Sequence, residues 1–172
     1  SASDQYLIRL RSHSLDIEIN VGIDNGLWAL HGMQIRDAFL AGEYGGATID
    51  YGSWPNEAGS HPALGSSSSV LQAFMVNGHG EEDDVRQDPY AETVARGLRF
   101  LPTELRLIYV KEQEFGDPDT NRNTFGIEAT TGYQGYQVGM AMDGLVVVGD
   151  PFSCTITGPT NLRHRSYYDI LL

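Results

Sequence analysis

Lysine is almost missing from this chain: Lys111 is the only one in 172 residues, and 11 basic residues face 23 acidic ones, a net charge of −12. Without a basic face there is nothing to attract phosphate backbones or anionic lipid, so nucleic acid is excluded as an expected partner. Long apolar runs are also missing. The most apolar stretch, Met140 to Val148, is interrupted by Asp143 and Gly144 and falls well short of the ~20 residues a membrane-spanning helix needs. Cysteine is reduced to Cys154, which excludes an internal disulfide and leaves the redox compartment open. The start, Ser1-Ala2-Ser3, has neither an initiator Met nor a charged-then-apolar leader and reads as a processed or trimmed end. Localisation stays open, with a lean towards an extracytoplasmic setting.

What is present is an ordinary globular composition, 41% apolar and 20% charged, enough for one domain with a real core. Internal similarity then organises the chain. A shift of 71 positions places Gly26-Leu27 on Gly97-Leu98, Leu30 on Leu101, Trp54 on Phe125, Glu57-Ala58 on Glu128-Ala129, Val76 on Val147 and Gly78 on Gly149. Residues 1–172 therefore read as a single repeat module with units of about 17–87 and 88–158 and a third beginning near 160. The last unit reads as cut after Tyr167-Tyr168-Asp169-Ile170-Leu171-Leu172.

Each unit reads as a helical hairpin. Ile23, Leu27, Leu30 and Gln34 recur at helical spacing in the first leading helix, and Val94, Leu98, Leu101, Leu105 and Ile108 in the second, one apolar face in each case. Asp88-Pro89 supplies an N-cap carboxylate and a proline for the first helical position. Pro102 predicts a kink or break, since it removes a backbone donor and clashes with the preceding turn. Partner helices are expected over about 62–77 and 134–148, each stopped by a glycine, Gly78 and Gly149, suited to the left-handed position after a helix end. Both are apolar or small all round, including Ser66-Ser67-Ser68-Ser69 and Met140-Ala141-Met142. Such helices require burial on most sides, as in a solenoid or closed ring. The serine run reads as tight packing rather than as a nucleophile.

The string Gly26-Leu27-Trp28-Ala29-Leu30, then Gln34, then Gly52-Ser53-Trp54 resembles the repeat of the prenyltransferase and squalene or terpene cyclase superfamily, where a helix ends in Gln and Gly-x-Trp follows. The stretches His61-Pro62-Ala63-Leu64-Gly65 and Asp88-Pro89-Tyr90 to Gly97-Leu98 resemble it as well. The gap from Gln34 to Gly52 is longer than the family's, and Leu105 stands where the second Gln belongs. The resemblance implies an all-α fold of tandem helical hairpins, a partial α/α toroid or solenoid. Its chemistry does not carry over. The acidic string Glu81-Glu82-Asp83-Asp84 follows a helix stop and reads as a solvated loop rather than as a cyclase acid. Cys154 has no nearby His to complete a zinc site, and Phe152-Ser153-Cys154-Thr155 lacks the thioester pattern of related toroids.

One segment has metal-ligand spacing. Asp117, Asp119, Asn121, Asn123 and Glu128 occupy positions 1, 3, 5, 7 and 12 of a calcium loop, but Arg122 replaces the glycine at position 6. A metal-free loop of Asx turns is the competing reading. The histidines, His13, His31, His61, His79 and His164, are scattered, with no pair four apart. Trp28, Trp54, Tyr90, Phe125, Tyr133 and Tyr136 suit an apolar or sugar-binding cavity, although Trp54 and Phe125 read as core anchors between hairpins. These features lead to a non-catalytic binding or structural module, with no cofactor beyond that calcium and an unknown protein or an apolar or sugar ligand as partner. Two alternatives remain: part of a cyclase- or prenyltransferase-type enzyme whose catalytic residues lie outside this chain, and a self-assembling subunit that covers its open edges with copies or further repeats of itself.

Overall fold

The computed structural model describes residues 14–40, 43–44, 46, 48–55, 63–130 and 134–171. Its first helix, α1 (Leu15–Met33), starts at Ser14, whose hydroxyl accepts the Ile17 N–H at 3.4 Å. Asp16 and Glu18 in its first turn suit the positive end of the helix dipole. The chain then forms an antiparallel hairpin, β1 (Ile35–Phe39) with β2 (Ile49–Ser53), Ile35 opposite Ser53. Helix α2 (Ala63–Val76) follows. The same order recurs: α3 (Ala91–Phe100), a 3-10 turn over Leu101–Glu104, a second hairpin of β3 (Leu105–Tyr109) with β4 (Phe125–Ala129), and α4 (Gln134–Val146). A short α5 (Tyr167–Leu171) closes the described chain.

The all-α expectation, with its toroid of helical hairpins, is therefore overturned. Both units carry a two-stranded antiparallel sheet between their helices, and the fold is mixed α/β. Pro102 explains the switch in the second unit. It sits in the 3-10 turn that ends α3, so the apolar stripe through Val94, Leu98 and Leu101 is helical, whereas Leu105 and Ile108 belong to a strand. From Leu105 onward the period drops to two: Leu105 is buried and Arg106 exposed. In the first unit Gln34 leaves helical geometry as the α1 C-cap, with ψ of 122°, and extended chain follows. The pairing of Trp54 with Phe125 is likewise corrected. Trp54 follows β2 and is 2% exposed; Phe125 opens β4 and is 45% exposed.

The centre of the molecule is the contact between α2 and α4. A side chain on Gly65 would meet Tyr136 and Met140, and one on Gly144 would meet Ser68. Small residues thus let the backbones approach, and this pairing order makes the two helices parallel. Ser67 and Ser68 are buried, Ser68 donating to the Leu64 carbonyl at 2.7 Å. Leu64, Leu71, Phe74, Leu98, Leu101 and Leu145 are almost wholly buried members of the core. Helix α3 packs on the first hairpin and α4 on the second.

Trp54 ties these pieces together. Its Nε1–H donates to the Leu30 carbonyl at 2.6 Å, its own N–H donates to Ser67 Oγ at 2.9 Å, and Ser66 donates to its carbonyl. Gln34 performs a matching task on the neighbouring strand at the same open end of the hairpin, donating to the Thr93 carbonyl at 2.9 Å and filling the space over Gly52.

Candidate functional site

The segment with calcium spacing is gathered only in part. Asp117 Oδ1 accepts the Asp119 N–H, the Asp119 carboxylate accepts the N–H groups of Asn123 and Thr124, and Asn121 Oδ1 also accepts Asn123 N–H at 3.0 Å. Asn123 itself caps Phe125 N–H at 2.8 Å. These are Asx turns in which side-chain oxygens hold the loop's own backbone. Arg122 turns the chain with φ of 61° at the position where such loops have glycine. Glu128 lies on β4 and pairs with Arg106 across the hairpin at 2.6 Å. Among the described residues no three His, Cys, Asp or Glu side chains are grouped to hold a metal ion.

The histidines also have local partners. His31 Nδ1 sits 2.6 Å from Thr93 Oγ1, and burial, followed by the Arg36 charge, holds its pKa below the ordinary imidazole value. His79 bonds Asp88 at 3.1 Å and rests edge-on against Tyr90. Asp88 also accepts the Tyr90 N–H at 2.8 Å, one step before α3 begins. His164 lies in the closing loop, its N–H on the Thr155 carbonyl. His13, His61, Glu57, Ala58, Pro62 and Tyr133 lie outside the described residues.

A concavity with both apolar and acidic walls lies elsewhere, where α2 and α4 end. Because the two helices are parallel, their C-termini come to the same end of the molecule, and each is stopped by a glycine in left-handed geometry, Gly78 at φ 89° and Gly149 at φ 76°. After Gly78 the His79 N–H returns to the Phe74 carbonyl at 3.2 Å and the Gly78 N–H to that of Met75 at 3.0 Å, closing the helix end. The two exit loops enclose a cleft of about 250 Å³ walled by Met75, Leu98, Val147 and Val148, with Glu81, Asp83 and Asp150 among its polar groups. A second hollow of about 240 Å³ adjoins it, sharing Glu81, Glu82, Leu98 and Ser153 and running on to Arg99, Cys154 and Tyr167.

Glu81 stands between the two hollows. The string Glu81-Glu82-Asp83-Asp84, expected to be a solvated loop, divides here: Glu82, Asp83 and Asp84 are exposed, while Glu81 turns inward and is half-buried. Gly80 enables the turn, its N–H donating to Asp83 Oδ2 at 2.6 Å. Burial, then the charge of Glu82, raises the Glu81 pKa; Arg99 opposes this and Asp150 adds to it. No ion pair joins Glu81 to a described cation, and the Arg99 guanidinium donates instead to the Asp50 carbonyl at 3.3 Å. Asp150 differs: exposed, and bonded by the Phe152 N–H and the Ser153 hydroxyl, its pKa is lowered. Burial, and then the Glu81 charge, keep the Tyr167 phenol protonated far above its usual range.

The cleft therefore combines apolar walls, the four carboxylates of Glu81, Glu82, Asp83 and Asp150, and the negative ends of two helix dipoles, an arrangement that favours positive charge. The hydroxyl of Ser153 is engaged by Asp150 and the exposed Cys154 thiol by the Phe152 carbonyl. Periodicity missed the site because it depends on two loops about 70 residues apart meeting in space; the shared signal in the sequence was the pair of helix-stopping glycines. No described helix is long and apolar enough to cross a membrane. No family model matches the chain, nor does any curated protein or solved structure, so the prenyltransferase and cyclase resemblance is overturned along with its toroid.

Proposed function

We propose that the chain is a non-catalytic binding module that takes a small organic cation with an apolar body into the Glu81 cleft. The observation that carries the reading is Glu81 itself, a half-buried carboxylate with a raised pKa and no ion-pair partner among the described residues. Removing a carboxylate from water is unfavourable unless a positive charge compensates it. An ammonium or guanidinium group seated at Glu81 supplies that charge, and Glu82 and Asp150 add to the attraction. Met75, Leu98, Val147 and Val148 would enclose an aliphatic or aromatic body, the usual division of labour between a few polar groups and an apolar wall. At about 250 Å³ the cleft lies just below the range of drug-sized ligand pockets, which points to a small ligand.

Titration calorimetry with hexylammonium, set against neutral 1-hexanol, tests this. Expected is saturable binding of the ammonium, at least about tenfold weaker for the alcohol and for Glu81→Gln, about 1.4 kcal/mol in each case. Methyl NMR shifts should appear at Met75, Val147 and Val148, with the probe recovered unchanged. Equal binding of both probes, or undiminished binding by Glu81→Gln, overturns the reading.

A further inference from the structure

Helix α1 is 19 residues long and apolar on most of its circumference, yet Leu27 is its only buried residue. Its C-terminal half is anchored: Leu27 enters the core, the Leu30 carbonyl accepts from Trp54, and His31 meets Thr93. Its N-terminal half is exposed among the described residues. Leu15, Ile19 and Ile23, four apart and therefore on one face, are 69%, 51% and 38% exposed. Gly22 and Gly26 lie along the same face, and a Cβ built on either has no atom within 4 Å. Met33 continues the stripe and is exposed as well. Two exposed glycines in a helix interior lower helix propensity, and what they provide in return is room for close approach of another backbone.

We infer that this face of α1 is a docking surface for a basic amphipathic helix of a partner protein. The charge pattern selects the occupant. Asp16 borders the apolar stripe, Asp24 lies further round, and α1 contains no Lys or Arg. A partner helix with an apolar seam flanked by Lys or Arg brings opposite charge to this acidic helix. A second copy of this chain would instead bring −12 against −12, and anionic lipid is repelled for the same reason. Gly22 and Gly26 mark the point of closest crossing. No residue of the Glu81 cleft takes part.

The test uses the full chain and a synthetic 21-residue helix with Leu along its seam and Lys at the flanking positions. A peptide with Glu in place of Lys is the control, and calorimetry is the readout. The Lys peptide should bind at about micromolar Kd and the Glu peptide at least about tenfold more weakly. Ile19→Ser should weaken the Lys peptide by a similar factor. Gly26→Leu is the decisive variant. It raises helix propensity and meets no neighbour in the free protein, so its melting temperature should hold or rise, while the added side chain keeps a partner helix at a distance and binding falls about tenfold or more. Equal binding of the two peptides, or binding that survives Gly26→Leu and Ile19→Ser, overturns the proposal. So does a dimer in sedimentation equilibrium that Ile19→Ser dissolves, which assigns the face to a second copy, or co-flotation with zwitterionic vesicles, which assigns it to a bilayer.

Discussion

At the scale of single residues, Glu81 and Gly52 give the sharpest expectations. The folded-state pKa of Glu81 lies above its ordinary value of 4.5, so the folded protein binds this proton more tightly than the unfolded chain. Its contribution is most favourable below pH 4.5, declines as pH rises through the raised folded value, and leaves a constant penalty above it. Glu81→Gln should therefore raise Tm near pH 7 by roughly 1–2 °C, a small effect because the group is only half-buried and partly screened. Calorimetry of both proteins should show the difference vanish below pH 4.5; a difference independent of pH would disprove the titration account. At Gly52 an added Cβ would stand 2.5 Å from the Gln34 side chain, which is held by the Thr93 carbonyl. Gly52→Ala should destabilise by about 1–3 kcal/mol, and pairing it with Gln34→Ala should recover part of that loss in a double-mutant cycle. The roles of Gly78 and Gly149 were legible locally, because a helix end needs a left-handed residue. The role of Glu81 was not, since nothing in four consecutive acids says which one faces inward.

At the scale of elements, α3 is set by the space it is given. A Cβ on Gly97 would lie 2.6 Å from Leu71 and 3.1 Å from Trp54, so α3 rests almost backbone-on against α2. Gly97→Ala should lower Tm by roughly 3–9 °C. Gly139→Ala on α4, where a Cβ meets nothing, should raise it slightly through helix propensity. Thermal melts of the two variants separate close packing from propensity, and similar Tm changes would refute the close-packing account. The sequence located α2 and α4 to within a few residues, and the start of α3 but not its end. Helix periodicity failed at Leu105 and Ile108 because apolar residues three apart satisfy a helical stripe as well as they fit a strand beside exposed partners. Pro102, read as a kink or break, marks the boundary between the two regimes.

For the whole molecule, charge dominates. With a net charge of −12 the compact state repels itself, while exposed pairs such as Arg96 with Glu92 and Asp50 contribute little. Raising NaCl from about 0.02 to about 0.5 M, where the Debye length falls to a few Å, should therefore raise Tm by several degrees; a fall would mean that the ion pairs outweigh the repulsion. That charge, the missing basic face, the helix-stopping glycines and the helical stretches were determined by the sequence alone, because composition and short-range periodicity are local properties. Only tertiary structure decided that 35–39 pairs with 49–53 and 105–109 with 125–129. It alone turned Glu81 inward at the joint end of two parallel helices and left one face of α1 exposed among the described residues. These outcomes depend on which distant surfaces meet, and in a pair of two-stranded sheets packed on helices that choice is made by burial and close contact between segments far apart in the chain.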